Sequence, residues 1–80
     1  MNKKKKSLNK LELGKKANVE SLQSSGNERR RMLDLGLVKD TSVEALYKSP
    51  SGDPTAYYIR GAVIALREED ARKIIITEED

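Results

Sequence analysis

Apolar and polar positions alternate in short stretches along this chain, which predicts strands more often than helices. Ala17 and Val19 alternate with polar neighbours in 17–22. The pattern is clearest in 41–48, where Val43, Ala45 and Tyr47 fall on one face and Glu44 and Leu46 on the other. Segments 56–59 and 62–66 flank Arg60-Gly61, a pair that suits a tight type I′ hairpin, so these two strands should pair. The run Ile74-Ile75-Ile76-Thr77 closes the series as a strand that is either buried on both faces or used at a subunit contact. Before all of these, Leu8, Leu11 and Leu13 precede Gly14 in a spacing that tucks leucines under a domain through a short helical turn or an irregular segment.

Two segments read as helices. In the first, Asn27 serves as N-cap and Gly36 takes the left-handed position that ends the helix, so that Leu37 folds back onto Met32. Met32 and Leu33 share its apolar face. With that N-terminus, Arg29, Arg30 and Arg31 stand in the first turn and Asp34 near the end, against the helix dipole. The arginines are then either a solvated face or a contact surface for an acidic partner. The second helix, 67–73, has the favoured order, acids first and bases last. Between strands, Ser49-Pro50-Ser51-Gly52-Asp53-Pro54 is a loop. Five short strands and two brief helices predict a mainly β fold, a small and partly open barrel.

Length and charge refine this picture. Eighty residues form one domain with a compact core and little room for a large cavity. The net charge is +3, unevenly placed: Lys3 to Lys6 at one end and Glu78-Glu79-Asp80 at the other. These read as a frayed basic tail over 1–7 and an acidic tail over 78–80, flanking an ordered domain over 8–77. The longest apolar run, Gly61 to Leu66, is far short of the about 20 residues that cross a bilayer, and no signal-peptide core follows the lysines. The expectation is a cytoplasmic protein.

Without cysteine or histidine, the chain has no thiol nucleophile, no thiolate or imidazole metal ligand and no histidine base. Clustered carboxylates at 68–70 and 78–80 are explained by solvation, and Gly52 and Gly61 lack the context of a phosphate loop. Neither an enzyme nor a protein with a resident metal or cofactor is expected.

Several stretches in order resemble the FeoA family. They are Gly14 and Val19, then Arg30-Arg31-Met32-Leu33-Asp34-Leu35-Gly36-Leu37, then Pro50-Ser51-Gly52-Asp53-Pro54, then Gly61 to Ala71 and Ile74. The likeness covers roughly 8–77. Where that family often has Pro-Gly after Leu-Gly-Leu, this chain has Lys39-Asp40. Aspartate tolerates positive φ, so the turn should survive.

The resemblance implies an SH3-like barrel and a non-enzymatic accessory of bacterial ferrous iron uptake. It implies as partner the membrane iron transporter that carries a cytosolic GTPase domain, with membrane contact only through that partner. The contact residues expected on this basis are Arg29, Arg30, Arg31, Ser51, Gly52 and Asp53. No nucleic acid partner is expected. The alternative is nonetheless a barrel that grips phosphates through the lysine tail and Arg29 to Arg31, with Tyr57 or Tyr58 stacking on bases. A weak homo-oligomer through the Ile74 to Thr77 edge is a further expectation.

Overall fold

The computed structural model describes residues 3–79. Six strands form one antiparallel sheet in the order β1-β6-β2-β3-β4-β5. They are β1 (Lys3–Ser7), β2 (Lys16–Leu22), β3 (Ser42–Lys48), β4 (Thr55–Ile59), β5 (Ala62–Leu66) and β6 (Ile74–Glu79). Two helices, α1 (Gly26–Asp34) and α2 (Glu68–Ala71), and a 3₁₀ turn at Leu8–Lys10 complete the chain. The mainly β architecture with two short helices is as the sequence pattern predicts, with one strand more.

That extra strand corrects the expected basic tail. Lys3–Ser7 is ordered as β1, paired antiparallel with β6 from Lys3 opposite Glu79 to Ser7 opposite Ile75. The physical reason lies in the charges themselves. The basic start and the acidic end are complementary when the strands run antiparallel, and Lys6 Nζ reaches Glu78 Oε1 at 2.7 Å. Lys5 also lies 3.7 Å from Glu20 of β2. Glu78 and Glu79 accordingly belong to β6 rather than to an acidic tail. Met1, Asn2 and Asp80, assigned to those tails, lie outside the described residues.

The same pairing corrects a second expectation. With β1 on one side and β2 on the other, β6 is an interior strand, so the isoleucine run offers no free edge to a second subunit. Ile74, Ile76 and Thr77 are buried and Ile75 is half-buried.

The core gathers Leu8 and Leu11 from the N-terminal turn, Ala17 and Val19 from β2, and Met32 and Leu37 from α1 and its exit. Val43, Ala45, Tyr57, Ile59, Leu66, Ala71, Ile74 and Ile76 close it from the remaining elements. Leu13 does not join them and stays exposed. Tyr47 also departs from its expected face. Ala45 pairs with Tyr57 but Tyr47 pairs with Ala56, so a bulge at Leu46 shifts the alternation and turns Tyr47 outward.

Helix α1 ends as its sequence requires. Gly36 adopts φ +97, its N–H donates to Leu33 O at 2.9 Å, and the Leu37 N–H donates to Met32 O at 3.1 Å. This cap drives Leu37 into the core beside Met32, both essentially fully buried. The helix begins earlier than expected, with Ser25 rather than Asn27 as N-cap. Glu28 therefore occupies the first turn and Arg31 the last, so these charges favour the dipole instead of opposing it. Leu33 also differs from expectation: it is 39% exposed and does not share Met32's burial.

The hairpin at Arg60-Gly61 has φ +49 and +85, the left-handed pair of a type I′ turn, with Ile59 opposite Ala62. Asp40 takes φ +74 in the turn after α1, donating its N–H to Val19 O at 2.8 Å. The aspartate thus fills a position that glycine would otherwise occupy.

Replacing Leu37 by Ala should cost about 2–5 kcal/mol, because its whole side chain fills core space, whereas Leu33→Ala should cost less than about 1 kcal/mol. Urea denaturation of the two variants reads the difference.

Candidate partner-binding surface

The three arginines of α1 have separate surroundings. Arg31 Nη2 donates to Asp70 Oδ2 at 2.8 Å, fastening α1 to α2. Asp70 is only 11% exposed at its side chain, so this contact is partly shielded from solvent and fixes the helix orientation. A second pair, Lys73 Nζ to Glu28 Oε1 at 3.0 Å, ties the same two regions together. Arg29 Nη1 donates to Leu22 O at a long 3.4 Å. Among the described residues Arg30 meets no protein partner and projects freely into solvent.

The outer side of α1 carries two adjoining hollows. One, about 250 Å³, lies between α1 and β2, with Leu22, Arg29, Leu33, Val38 and Lys39 among its walls. The other, about 370 Å³, is bounded by Gly26, Arg29, Arg30, Leu33 and Asp34. Arg29 and Leu33 line both, so the two form one surface with an apolar centre and a rim of Arg29, Arg30 and Lys39 beside the acids Glu20 and Asp34. Leu33 and Val38, each 39% exposed, supply the apolar centre. Lys39 in the rim approaches Glu20 at 3.4 Å.

The loop Ser49 to Pro54 is organised from within. Ser49 Oγ and Ser51 Oγ donate to Asp53 O at 2.7 and 3.1 Å, and the Gly52 N–H donates to Ser49 O at 2.8 Å. The Asp53 side chain serves the fold, since its Oδ1 accepts from the Glu68 N–H at 2.9 Å and so caps α2 from a distant loop. Ser51 and Gly52 are exposed at the loop tip. Arg31 and Asp53 thus converge on the same one-turn helix, Arg31 through Asp70 and Asp53 through the Glu68 amide.

The expected contact residues therefore divide. Arg29 and Arg30 border the hollows of α1, Arg31 and Asp53 hold α2 in place, and Ser51 and Gly52 lie on a loop with its own hydrogen bonds. Sequence reasoning missed Leu33, Val38 and Lys39 as surface residues. The signal was present for Val38 and Lys39, which follow the buried Leu37 in a turn and must point away from the core.

A further hollow, about 440 Å³ on the outer face of the sheet, brings Lys16 and Arg60 near Glu44 and Tyr58. Among the described residues no group of three or more aspartates and glutamates is placed to hold a metal ion. Nor is any helix among them long and apolar enough to cross a membrane.

The FeoA domain family matches residues 6–78, which is nearly the whole of this fold. The chain belongs to the FeoA family. A fusion protein of Porphyromonas gingivalis, named as Fe(2+) transport protein A joined to the Fe(2+) transporter FeoB, is 33% identical over 67 residues. Those residues are 84% of this chain but only 8% of that much longer protein. The FeoA-like protein of Clostridium acetobutylicum superposes with a TM-score of 0.83 at 33% identity, covering 98% of this chain and 88% of that one. FeoA of Stenotrophomonas maltophilia, solved with zinc and described as a procaryotic SH3 domain protein, gives 0.79 at 31% identity. There the match covers 88% of this chain and 87% of the other. The SH3-like class expected from the sequence is thus the class of this FeoA chain.

Loss of the α2 cap in Asp53→Ala should lower stability by about 0.5–2 kcal/mol, whereas Arg30→Ala should stay within about 0.5 kcal/mol, both measured by chemical denaturation. Tyr57 makes stability depend on alkaline pH. Burial pushes its phenol above the ordinary value of 10.0, with Asp53 and Glu68 adding to the effect and a hydrogen bond with Thr55 opposing it. The unfolded chain therefore ionises this tyrosine first, and its contribution to stability is intact below about pH 10 and lost as pH climbs beyond that. A Tyr57→Phe variant should show a shallower alkaline loss of stability.

Proposed function

We propose that this protein is a non-enzymatic accessory of ferrous iron uptake that binds the cytosolic, GTPase-containing region of the membrane iron transporter. The observation that carries the reading is the Porphyromonas gingivalis relative, in which a region similar to this chain shares one polypeptide with the iron transporter FeoB. A fusion of two modules keeps them at high effective concentration, an arrangement that favours partners that work in contact. The protein would act at the cytoplasmic face, reaching the membrane only through the transporter.

The contact surface is the outer side of α1. Leu33 and Val38 form the apolar centre that desolvates on docking, and Arg29 and Arg30 meet acidic side chains of the transporter at the rim. Arg31 contributes by holding α1 against α2 through Asp70, so that the surface is rigid before it binds. Ser51 and Gly52 extend the contact where the loop tip is exposed.

The nucleic-acid alternative loses its principal support. Lys5 and Lys6 belong to the ordered edge strand β1 and pair with Glu20 and Glu78 rather than lying free on a tail. What remains is the Arg29 and Arg30 pair on α1, a small basic patch on a chain of net charge +3.

Calorimetry with the purified cytosolic region of the transporter tests this function. Leu33→Asp should weaken binding at least about tenfold, and Arg29→Ala with Arg30→Ala should slow association and flatten its salt dependence. Unaltered binding in both variants would exclude the α1 surface, and no binding by the unmodified protein would exclude the function itself.

A further inference from the structure

The sheet ends in two edges of opposite chemistry. One is β1, whose sequence Lys-Lys-Lys-Lys-Ser makes it a poor template for a second copy of itself. The other is β5, Ala62-Val63-Ile64-Ala65-Leu66, which carries no charge and no proline.

Hairpin geometry fixes which backbone groups face outward from β5. Ile59 and Ala62 flank a two-residue turn and so exchange both of their hydrogen bonds. Exchanging pairs then recur at every second position, Tyr57 with Ile64 and Thr55 with Leu66. Val63 and Ala65 therefore direct N–H and C=O away from β4. Among the described residues, no turn, loop or other strand supplies a backbone hydrogen bond to either. Both residues are exposed, Val63 by 57%, and Val63 stands opposite the exposed Tyr58.

We infer that β5 pairs antiparallel with β5 of a second copy of this chain, about a two-fold axis at Ile64. In that register Val63 exchanges both hydrogen bonds with Ala65 of the second copy, and the two-fold repeats the exchange. Sliding by two residues would set Ala65 against Gly61 in the turn, or Val63 against Arg67 beyond the strand end. Only the centred register uses every outward backbone group of the edge.

Charge complementarity selects a second copy as the occupant. The strand has Arg60 at one flank and Arg67-Glu68-Glu69 at the other, where two carboxylates outweigh one arginine, and the centred register sets Arg60 of one copy against Glu68 of the other. Antiparallel self-pairing brings the basic flank of each copy toward the acidic flank of the other. Arg60 has no carboxylate partner among the described residues, so it is free to take part. The outer side of α1 belongs to a different part of the fold and plays no part in this contact.

The chain lacks cysteine, which makes the register directly readable. At the axis, Ile64 faces its own counterpart in a pair without mutual hydrogen bonds, with Cα atoms about 4.5 Å apart, within disulfide range. Ile64→Cys should form a disulfide dimer in a glutathione redox buffer in much higher yield than Val63→Cys or the off-edge control Lys48→Cys, with circular dichroism verifying the fold. Sedimentation equilibrium of the unmodified protein should show its mass rising toward twice the monomer with concentration. Val63→Pro removes an outward N–H that β4 does not use, and should lower the dimerisation constant at least about tenfold. A monomer mass at every concentration, or equal cross-linking at the three positions, would overturn the inference.

Discussion

Strand β6 is the element on which the rest of the sheet depends, because it is hydrogen-bonded on both sides, to β1 and to β2. It joins the first described residues of the chain to the last described ones, and its Ile74 and Ile76 are wholly buried in the core. Its acidic end gives the lysines of β1 a partner, which is why a basic stretch that would fray alone becomes a strand. Because β6 is interior, the uncharged edge of the sheet lies at β5. Immediately before β6, Lys73 accepts from the Gln23 amide at its backbone carbonyl and pairs with Glu28 at its side chain. The strand thereby also sets where α1 begins.

Helix α1 divides its residues between the core and the surface through its C-terminal cap. The left-handed Gly36 folds Leu37 back over Met32, burying both. The same reversal carries Val38 and Lys39 outward, next to Leu33 and the arginines. Adding a Cβ at Gly36 would bring it within 2.4 Å of the Arg60 side chain, so the cap also packs closely under the β4–β5 hairpin. The fold has in this way an apolar surface patch whose rim carries Arg29, Arg30 and Lys39 beside Glu20 and Asp34, a feature suited to a protein partner.

Local chemistry was readable from the sequence wherever the conformation depends on adjacent residues. Gly36 and Leu37 dictate the end of α1, Arg60-Gly61 the hairpin, and Asp40 a turn with positive φ, because these choices are made by sterics and hydrogen bonds within a few residues. Alternation placed Ala17, Val19, Val43 and Ala45 inward, and failed at Tyr47, where a bulge inserts a residue that period-two counting does not register. The order of motifs was sufficient for the FeoA family and its SH3-like class.

Contacts between distant parts of the chain were decided only in the folded molecule. Arg31 meets Asp70 across 39 residues, Asp53 caps an amide 15 residues away, and Lys6 finds Glu78 at the other end of the chain. Each redefines a residue that looked free in the sequence: one arginine of the triple and the loop aspartate are structural, and the lysine tail is a strand. The physical reason is that the sequence sets the conformations and charges each segment offers. Which charge meets which, and which strand edge is left open, follow from the three-dimensional order of the strands.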